Sequence, residues 1–318
     1  MKLITFNDIQ KSGVTPLQCM DWVDAAIARK EDAILPPKIS LHPGVEGTFC
    51  NFMPCIAPDA SGRLYGGVKL VTRYPERIPA LDSKMLLFDA ESGETLAFVD
   101  GDWITAMRTG AVAAHSVLLF AKKDFKNLGV IGLGNTGRAA MLMLAEKMPQ
   151  RDLFVTLLAH KGQEDSFIDR FSKYPNLHFD VVDSYEELVS RSEVVISAVT
   201  YFPDDICSDS CFNEGVLVVP IHTRGFTNCD LFFDKVFADD TNHVKGFKNF
   251  NRFRSFAEVS DVVTGKAEGR TNESERILAY NIGIAMHDVL FAANIYKMLD
   301  KDLLTDIDLA QPDLKTWV

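Results

Sequence analysis

The segment Leu128-Gly129-Val130-Ile131-Gly132-Leu133-Gly134-Asn135-Thr136-Gly137 constrains this chain more than any other. A short apolar run ends in G-x-G-x-x-G, and a helix-forming stretch, Arg138 to Lys147, follows at once. Gly132 permits a tight turn, Gly134 lets a pyrophosphate approach the backbone, and Gly137 allows close helix packing, while the helix N-terminus faces the phosphates. A bare glycine motif is also found as a plain structural turn. Here it opens a series: the apolar runs Leu128 to Ile131, Leu153 to Ala159, His178 to Val182, Val194 to Val199, Val216 to Ile221 and Val236 to Ala238 alternate with amphipathic stretches. Strands apolar on both faces and separated by helices are the sequence form of a doubly wound parallel sheet. Residues 121–291 therefore read as a Rossmann dinucleotide-binding domain.

The first 120 residues follow another pattern. A helix is expected from Pro16 to Lys30, antiparallel strands at Leu64 to Val71 and Lys84 to Asp89 with a turn at Glu91-Ser92-Gly93-Glu94, and a long helix over Gly101 to Phe120 leading into the second domain. Beyond Asp239-Asp240, the pattern predicts a helix near Ser255 to Thr264 and a long one from about Asn272 to Leu299, capped by Asn272-Glu273-Ser274-Glu275 and returning to the N-terminal domain. The fold class is α/β: a Rossmann domain plus an α+β substrate-binding and dimerisation domain made of residues 1–120 and completed by a C-terminal helix, about 292–318.

A chain of 318 residues has room for two domains of about 100 to 200 residues, each with its own core. Its 33 Lys and Arg against 44 Asp and Glu give a net charge of −11, with no basic run to follow a phosphate backbone, so no nucleic-acid partner is expected. No apolar run approaches the roughly 18 residues of a membrane span, and the first residues lack the apolar centre of a secretion signal, so the expected location is the cytoplasm, with no membrane partner. The six cysteines read as reduced thiols. Cys207 and Cys211 face one another at helical spacing, but no further ligand completes a metal site, and none is expected.

An acid usually stands at the tip of the second Rossmann strand, about 20 residues after the glycine loop, to hold the ribose hydroxyl of NAD. This strand ends Leu157-Leu158-Ala159-His160-Lys161-Gly162. His160 and Lys161 face a 2′-phosphate better than a hydroxyl, which tilts the cofactor from NAD(H) toward NADP(H). Three cations stand out in the other domain: Lys38, Lys69 and Arg108. Lys69 lies in an apolar strand, where an ammonium needs a carboxylate or an anionic ligand, and Arg108 opens a small-residue helix, where a guanidinium can clamp a carboxylate. The expected partner is a small carboxylate-bearing substrate. His222, at the end of a parallel strand, is a candidate general acid or base, since the unperturbed imidazole titrates near neutrality. His115 is a second candidate for the pocket; His42, His178 and His287 are assigned to turns and packing.

At these residues the chain resembles a known family. Lys69-Leu70-Val71, Leu86-Leu87-Phe88-Asp89 with Ser92-Gly93-Glu94, Thr105-Ala106-Met107-Arg108-Thr109-Gly110-Ala111, the glycine loop and Gly283-Ile284-Ala285-Met286-His287-Asp288 occur in the order seen in the ornithine cyclodeaminase/μ-crystallin family, over nearly the whole chain. The resemblance implies a homodimer, an NAD(P)-binding Rossmann domain and hydride transfer at an amino or imino carbon. It assigns Lys38, Lys69 and Arg108 to the substrate carboxylate, with Lys69 also catalytic, and the phosphate contacts to Thr109, Asn135 and Thr136. Val199-Thr200 falls on the adenosine side. Two departures bear on the substrate. Cyclodeaminases carry Glu where this chain has Asn51, which leaves Asn51 as a substrate contact, and Asp where it has His222, so the carboxylates for a second amino group are absent. His222-Thr223-Arg224 is similar to a loop of the opine-type dehydrogenases, in which Arg224 would hold a second substrate carboxylate. Three readings follow: an NAD(P)-dependent amino or imino acid dehydrogenase, a cyclodeaminase with bound NAD, and a non-catalytic μ-crystallin-like binding protein.

Overall fold

The computed structural model describes every residue except 201, 203, 223–225, 310–315, 317 and 318. Six strands precede the long helix: β1 (Lys2–Ile4), β2 (Ile39–Leu41), β3 (Phe49–Pro58), β4 (Leu64–Arg73), β5 (Leu81–Asp89) and β6 (Thr95–Asp100). Eight follow it: β7 (Asn127–Ile131), β8 (Leu153–Leu158), β9 (Leu177–Val182), β10 (Val194–Ser197), β11 (Leu217–Pro220), β12 (Lys235–Ala238), β13 (Phe256–Glu258) and β14 (Ile277–Tyr280). A short β15 (Thr305–Asp306) returns to pair with β1.

The first sheet has the order β15-β1-β6-β5-β4-β3-β2 and is antiparallel apart from the β1–β6 pair. The second has the order β13-β12-β14-β11-β10-β7-β8-β9 and is parallel throughout. Strand order reverses between β7 and β10, the switch point at which open parallel sheets bind ligands. The glycine loop leaves β7 there.

Alternation along the first sheet separates two faces. Met53, Cys55, Lys69, Val71, Met85, Leu87 and Val99 point inward and are buried beneath helices Asp102–Phe120 and Ala285–Met298, on which helix Pro16–Ala28 packs in turn. The outward row Pro54, Val68, Leu86 and Phe98 runs across four strands in register, with Phe52, Leu70, Ile56 and Phe88 beside it. This outer face is apolar yet only part-buried or exposed.

One apolar core passes from the inner face of the first sheet, through the long helix, to Leu128, Val130, Ile196 and Phe237 of the second. The two helices nearest the site cross where side chains are smallest. A Cβ on Gly110 of the long helix would lie 2.5 Å from the backbone of Ala139 and Ala140 on helix Asn135–Lys147, so only glycine allows the approach.

The C-terminal third corrects two expectations. Residues 272–275 form a turn rather than a helix start, 277–280 insert as β14 between β11 and β12, and the last helix runs only over Ala285–Met298. The expected helix over 255–264 is strand β13 followed by a short helix, Val259–Val263. Both stretches are dense in apolar residues that suit either state, and a vacant slot in the parallel sheet decides for strand. The last helix packs on β3 and β4, against the first sheet.

Among the described residues no helix is long and apolar enough to cross a membrane, and no group of His, Cys, Asp and Glu is placed to hold a metal ion. Replacing Gly110 by Val should drive the two helices apart, cost about 1–3 kcal/mol as overpacking does and weaken cofactor binding. Chemical denaturation and calorimetric titration of the variant check both effects.

Candidate functional site

Lys69 points inward from β4 and is fully buried, with its Nζ 2.8 Å from Oδ1 of Asp288 on the last helix. Arg108 of the long helix donates from Nε to the same oxygen at 2.9 Å. One carboxylate oxygen thus joins three elements. The carboxylate that Lys69 requires in its apolar surroundings is Asp288, a residue that the sequence reading named only within a family motif and gave no role. A signal was available: an acid within the apolar helix Ala285–Met298 has the same need for a partner as a lysine within an apolar strand.

Charge is finely balanced here. Burial lowers the pKa of Lys69, the nearby Arg108 lowers it further and Asp288 opposes both, which leaves it at about 7. Burial works to raise the Asp288 carboxyl, but Arg108 and Lys69 outweigh it and hold it below the ordinary range. Lys69 also lies 3.5 Å from Thr105 Oγ1, which donates to Ser83 Oγ. Arg108 engages Asp288 through Nε alone. Among the described residues its Nη1 and Nη2 donate no hydrogen bond, so the outer edge of the guanidinium is available to a ligand carboxylate. The guanidinium lies so close to Gly283, which has φ +92°, that a Cβ there would stand 2.6 Å from Nη1.

Next to these groups, a small cavity opens between the two sheets' domains, lined by Leu35, Pro36, Pro37, Lys38, Met53, Asp240, His243, Ile284 and Ala285. Lys38 is half-buried; burial lowers its pKa and Asp239 opposes this. Asn51 lies two residues from Met53, the strand partner of Lys69, and its Oδ1 is buried without a partner among the described residues. Asp239 accepts the Gly283 N–H and is 3.8 Å from His243 Nδ1, while Asp240 caps helix Thr241–Val244 and pairs with Lys30. The sequence reading passed over His243 and gave Asp239 no chemistry. Nothing in their spacing indicates that they meet Lys38.

The structure brings Lys38, Asn51, Lys69 and Arg108 together, but sets His222 apart. His222 lies past the end of β11, with Nε2 2.9 Å from Ser197 Oγ and its ring against Phe202 and Phe226. These aromatic residues belong to the second apolar core, on the other face of the parallel sheet. Thr223 and Arg224 lie outside the described residues.

The glycine loop fits a dinucleotide. Gly132 has φ +93° and its Cβ would meet Ala198 at 2.7 Å, so the loop packs tightly against the chain leading to Val199 and Thr200; Gly137's would meet the Gly132 carbonyl at 2.2 Å. A Cβ on Gly134 would touch nothing within 4 Å, and no side chain caps the helix that starts at Asn135 and Thr136. Space and uncapped amides together make a place for phosphate. Thr109 follows Arg108 on the long helix, with its hydroxyl turned back to the Thr105 carbonyl.

At the second strand's tip, His160 and Lys161 are exposed, and Lys161 has φ 55°. A carboxylate does stand there: the His160 amide donates to Glu164, from the first turn of the next helix. The expectation of a tip without an acid considered strand residues alone, and the chain folds back to supply one.

The family model for ornithine cyclodeaminase and μ-crystallin matches residues 2–302. The chain belongs to the ornithine cyclodeaminase/μ-crystallin family. Nodulation efficiency protein NfeD of Rhizobium meliloti is 27% identical over 286 residues, 84% of each chain. An N-((2S)-2-amino-2-carboxyethyl)-L-glutamate dehydrogenase of Staphylococcus aureus is 27% identical over 228 residues, 67% of each. Among solved structures, Thermococcus litoralis Δ1-pyrroline-2-carboxylate reductase in complex with NADH and L-proline superposes with a TM-score of 0.83 at 22% identity, over 96% of this chain and 100% of that one.

In this member of the ornithine cyclodeaminase/μ-crystallin family, Asp288→Asn should leave two cations around a neutral amide. Breaking a buried pair in this way costs about 3–5 kcal/mol, and part of the loss is relieved as Lys69 sheds its proton. The unfolding midpoint should therefore drop more at pH 6 than at pH 8, as denaturant titration at the two pH values can show.

Proposed function

We propose that this protein is an NAD(P)-dependent oxidoreductase that interconverts an amino acid or an opine with its imine. The observation that carries this reading is Lys69: it is fully buried, titrates near neutrality and is held by Asp288 beside the outer edge of Arg108. When bound, the nicotinamide supplies hydride to the substrate's imino carbon. Arg108 and Lys38 bind the substrate carboxylate and fix its orientation. Lys69 gives a proton from Nζ to the imine nitrogen in reduction and takes one back in oxidation, with Asp288 as its positioning partner. His222, which stands apart from these groups past the end of β11 beside Ser197, is assigned a second proton-handling role, and Arg224 a second substrate carboxylate. The named activities of the Staphylococcus aureus and Thermococcus litoralis relatives, a dehydrogenase and a reductase, support this class.

The cyclodeaminase reading has less support. Asn51 offers an amide oxygen where a second ammonium would need a carboxylate. For the cofactor, Lys161 attracts a 2′-phosphate and Glu164 repels one. The Glu164 bond to the tip amide turns the tilt toward NADH.

The assembly we propose is a homodimer formed through the outer face of the first sheet. Pro54, Val68, Leu86 and Phe98 make a continuous apolar row that a second copy, carrying the same row, can bury. Phe98→Glu should yield a monomer by light scattering coupled to size exclusion, whereas the wild type elutes at twice the chain mass.

The activity is tested by screening cyclic imino acids and pairs of an amine with a 2-oxo acid against NADH and NADPH. Consumption of NADH with at least one imine is expected; ammonia release from a diamine with no net change in cofactor would establish the cyclodeaminase instead. Reduction needs protonated Lys69 and should decline as pH rises through about 7, while oxidation needs the neutral amine and should increase over the same interval. Lys69→Met should cut kcat/KM in both directions by roughly a hundredfold or more, the equivalent of about 3 kcal/mol.

A further inference from the structure

Lys69 is sealed from water, so a proton that it gives to substrate has to be replaced from within the protein. A second, small cavity shares Ile284 with the first, and its wall includes Lys30, Val112, Asp239, Asn281 and His287. His287 immediately precedes Asp288 and is 1% exposed, and neither of its ring nitrogens has a partner among the described residues. His115 lies seven residues after Arg108 on the long helix, and hence on the same face, with Val112 between them. Its Nδ1 is also buried without a partner, while its Nε2 is 3.3 Å from Oδ1 of Asp24, whose side chain is 53% exposed. Asp288 Oδ2 is likewise buried without a hydrogen-bond partner among the described residues.

Unpartnered polar atoms beside a small cavity call for ordered water, which needs about two to four polar partners. Burial keeps both imidazoles neutral at pH 7. It lowers His115, against the pull of Asp24, and with Arg108 it takes His287 down to about 3, against Asp288 and Asp239. A neutral imidazole accepts a proton at one nitrogen and releases another from the second, so it passes charge without storing it.

We propose that Asp24, His115 and His287, with ordered water at His287 in the second cavity, form a proton relay that recharges Lys69 from solvent. The proposal rests on the imine-reductase reading above. For each imine reduced, NAD(P)H is oxidised to NAD(P)⁺ and its hydride forms the new bond to carbon, while the nitrogen takes the proton of Lys69. One proton then enters at Asp24, crosses His115 and His287, and returns to Lys69 past Asp288 Oδ2. Oxidation of the amine runs the same path outward.

Two measurements on the full chain decide the matter. A high-resolution crystal structure needs no substrate: ordered waters should connect His115 Nδ1, the His287 ring nitrogens and Asp288 Oδ2, and a dry cavity or a His287 ring bonded directly to protein groups would overturn the relay. In solution, His287→Asn and His115→Asn should each lower imine turnover about tenfold or more, the scale of general acid–base effects. They should enlarge the solvent deuterium isotope effect and leave NADH affinity unchanged. His115→Asn, near the surface, keeps the test valid if His287→Asn fails to fold. Turnover and isotope effect both equal to wild type in His115→Asn would refute the relay, as would loss of turnover in step with NADH affinity. If the wild type reduces no imine, the functional reading fails and the water chain alone decides the relay.

Discussion

Oδ1 of Asp288 receives Lys69 from a strand of the first sheet and Arg108 from the long helix, while Asp288 itself arrives on the last helix, after the whole nucleotide-binding sheet has been traversed. Three elements distant in sequence are thereby held at one atom, in surroundings where leaving any of the three charges alone is costly. The same arrangement sets the chemistry. With burial and then Arg108 pressing the Lys69 pKa down and Asp288 holding it up, the group is left at about 7, where it can both give and take a proton.

Position along the long helix links this centre to the cofactor side. Arg108 turns toward Asp288, Thr109 follows, and Gly110 lets the helix touch the one that begins at the glycine loop. Three successive residues therefore reach Asp288, return a hydroxyl to the helix backbone and make the close contact between the two helices. Gly283 does the same from the opposite side, since its N–H is held by Asp239 and its missing side chain gives the guanidinium room. The distance between substrate and cofactor regions is fixed by close backbone packing rather than by flexible side chains.

Much of this was legible in the sequence where a local pattern had a single interpretation. The glycine loop, strands β7 to β12 and the long helix are of that kind, because doubly buried strands and small-residue helices have distinctive periods. Strand β14 was not legible, since Ile277 to Tyr280 merges with the apolar residues of the helix behind it, and only the backbone turn at Gly283 separates them. Lys69 and Arg108 were recognisable as cations in need of an anion, but their partner lies 219 and 180 residues further along, beyond the reach of any local signal. Glu164 was missed for a related reason: the strand tip was taken to end with the strand, whereas the next helix folds its first turn back onto it.

Strand β14 sits between β11 and β12, in the interior of the parallel sheet, although it comes from residues 277–280. During synthesis β11 and β12 therefore emerge with a gap between them, which stays open until residues 277–280 have been made. The strand that fills this gap is followed, after Gly283, by the helix that delivers Asp288. Completion of the nucleotide-binding sheet and neutralisation of Lys69 and Arg108 thus belong to one late event, so a chain truncated before 277 would lack both, and neither half is expected to mature without the other.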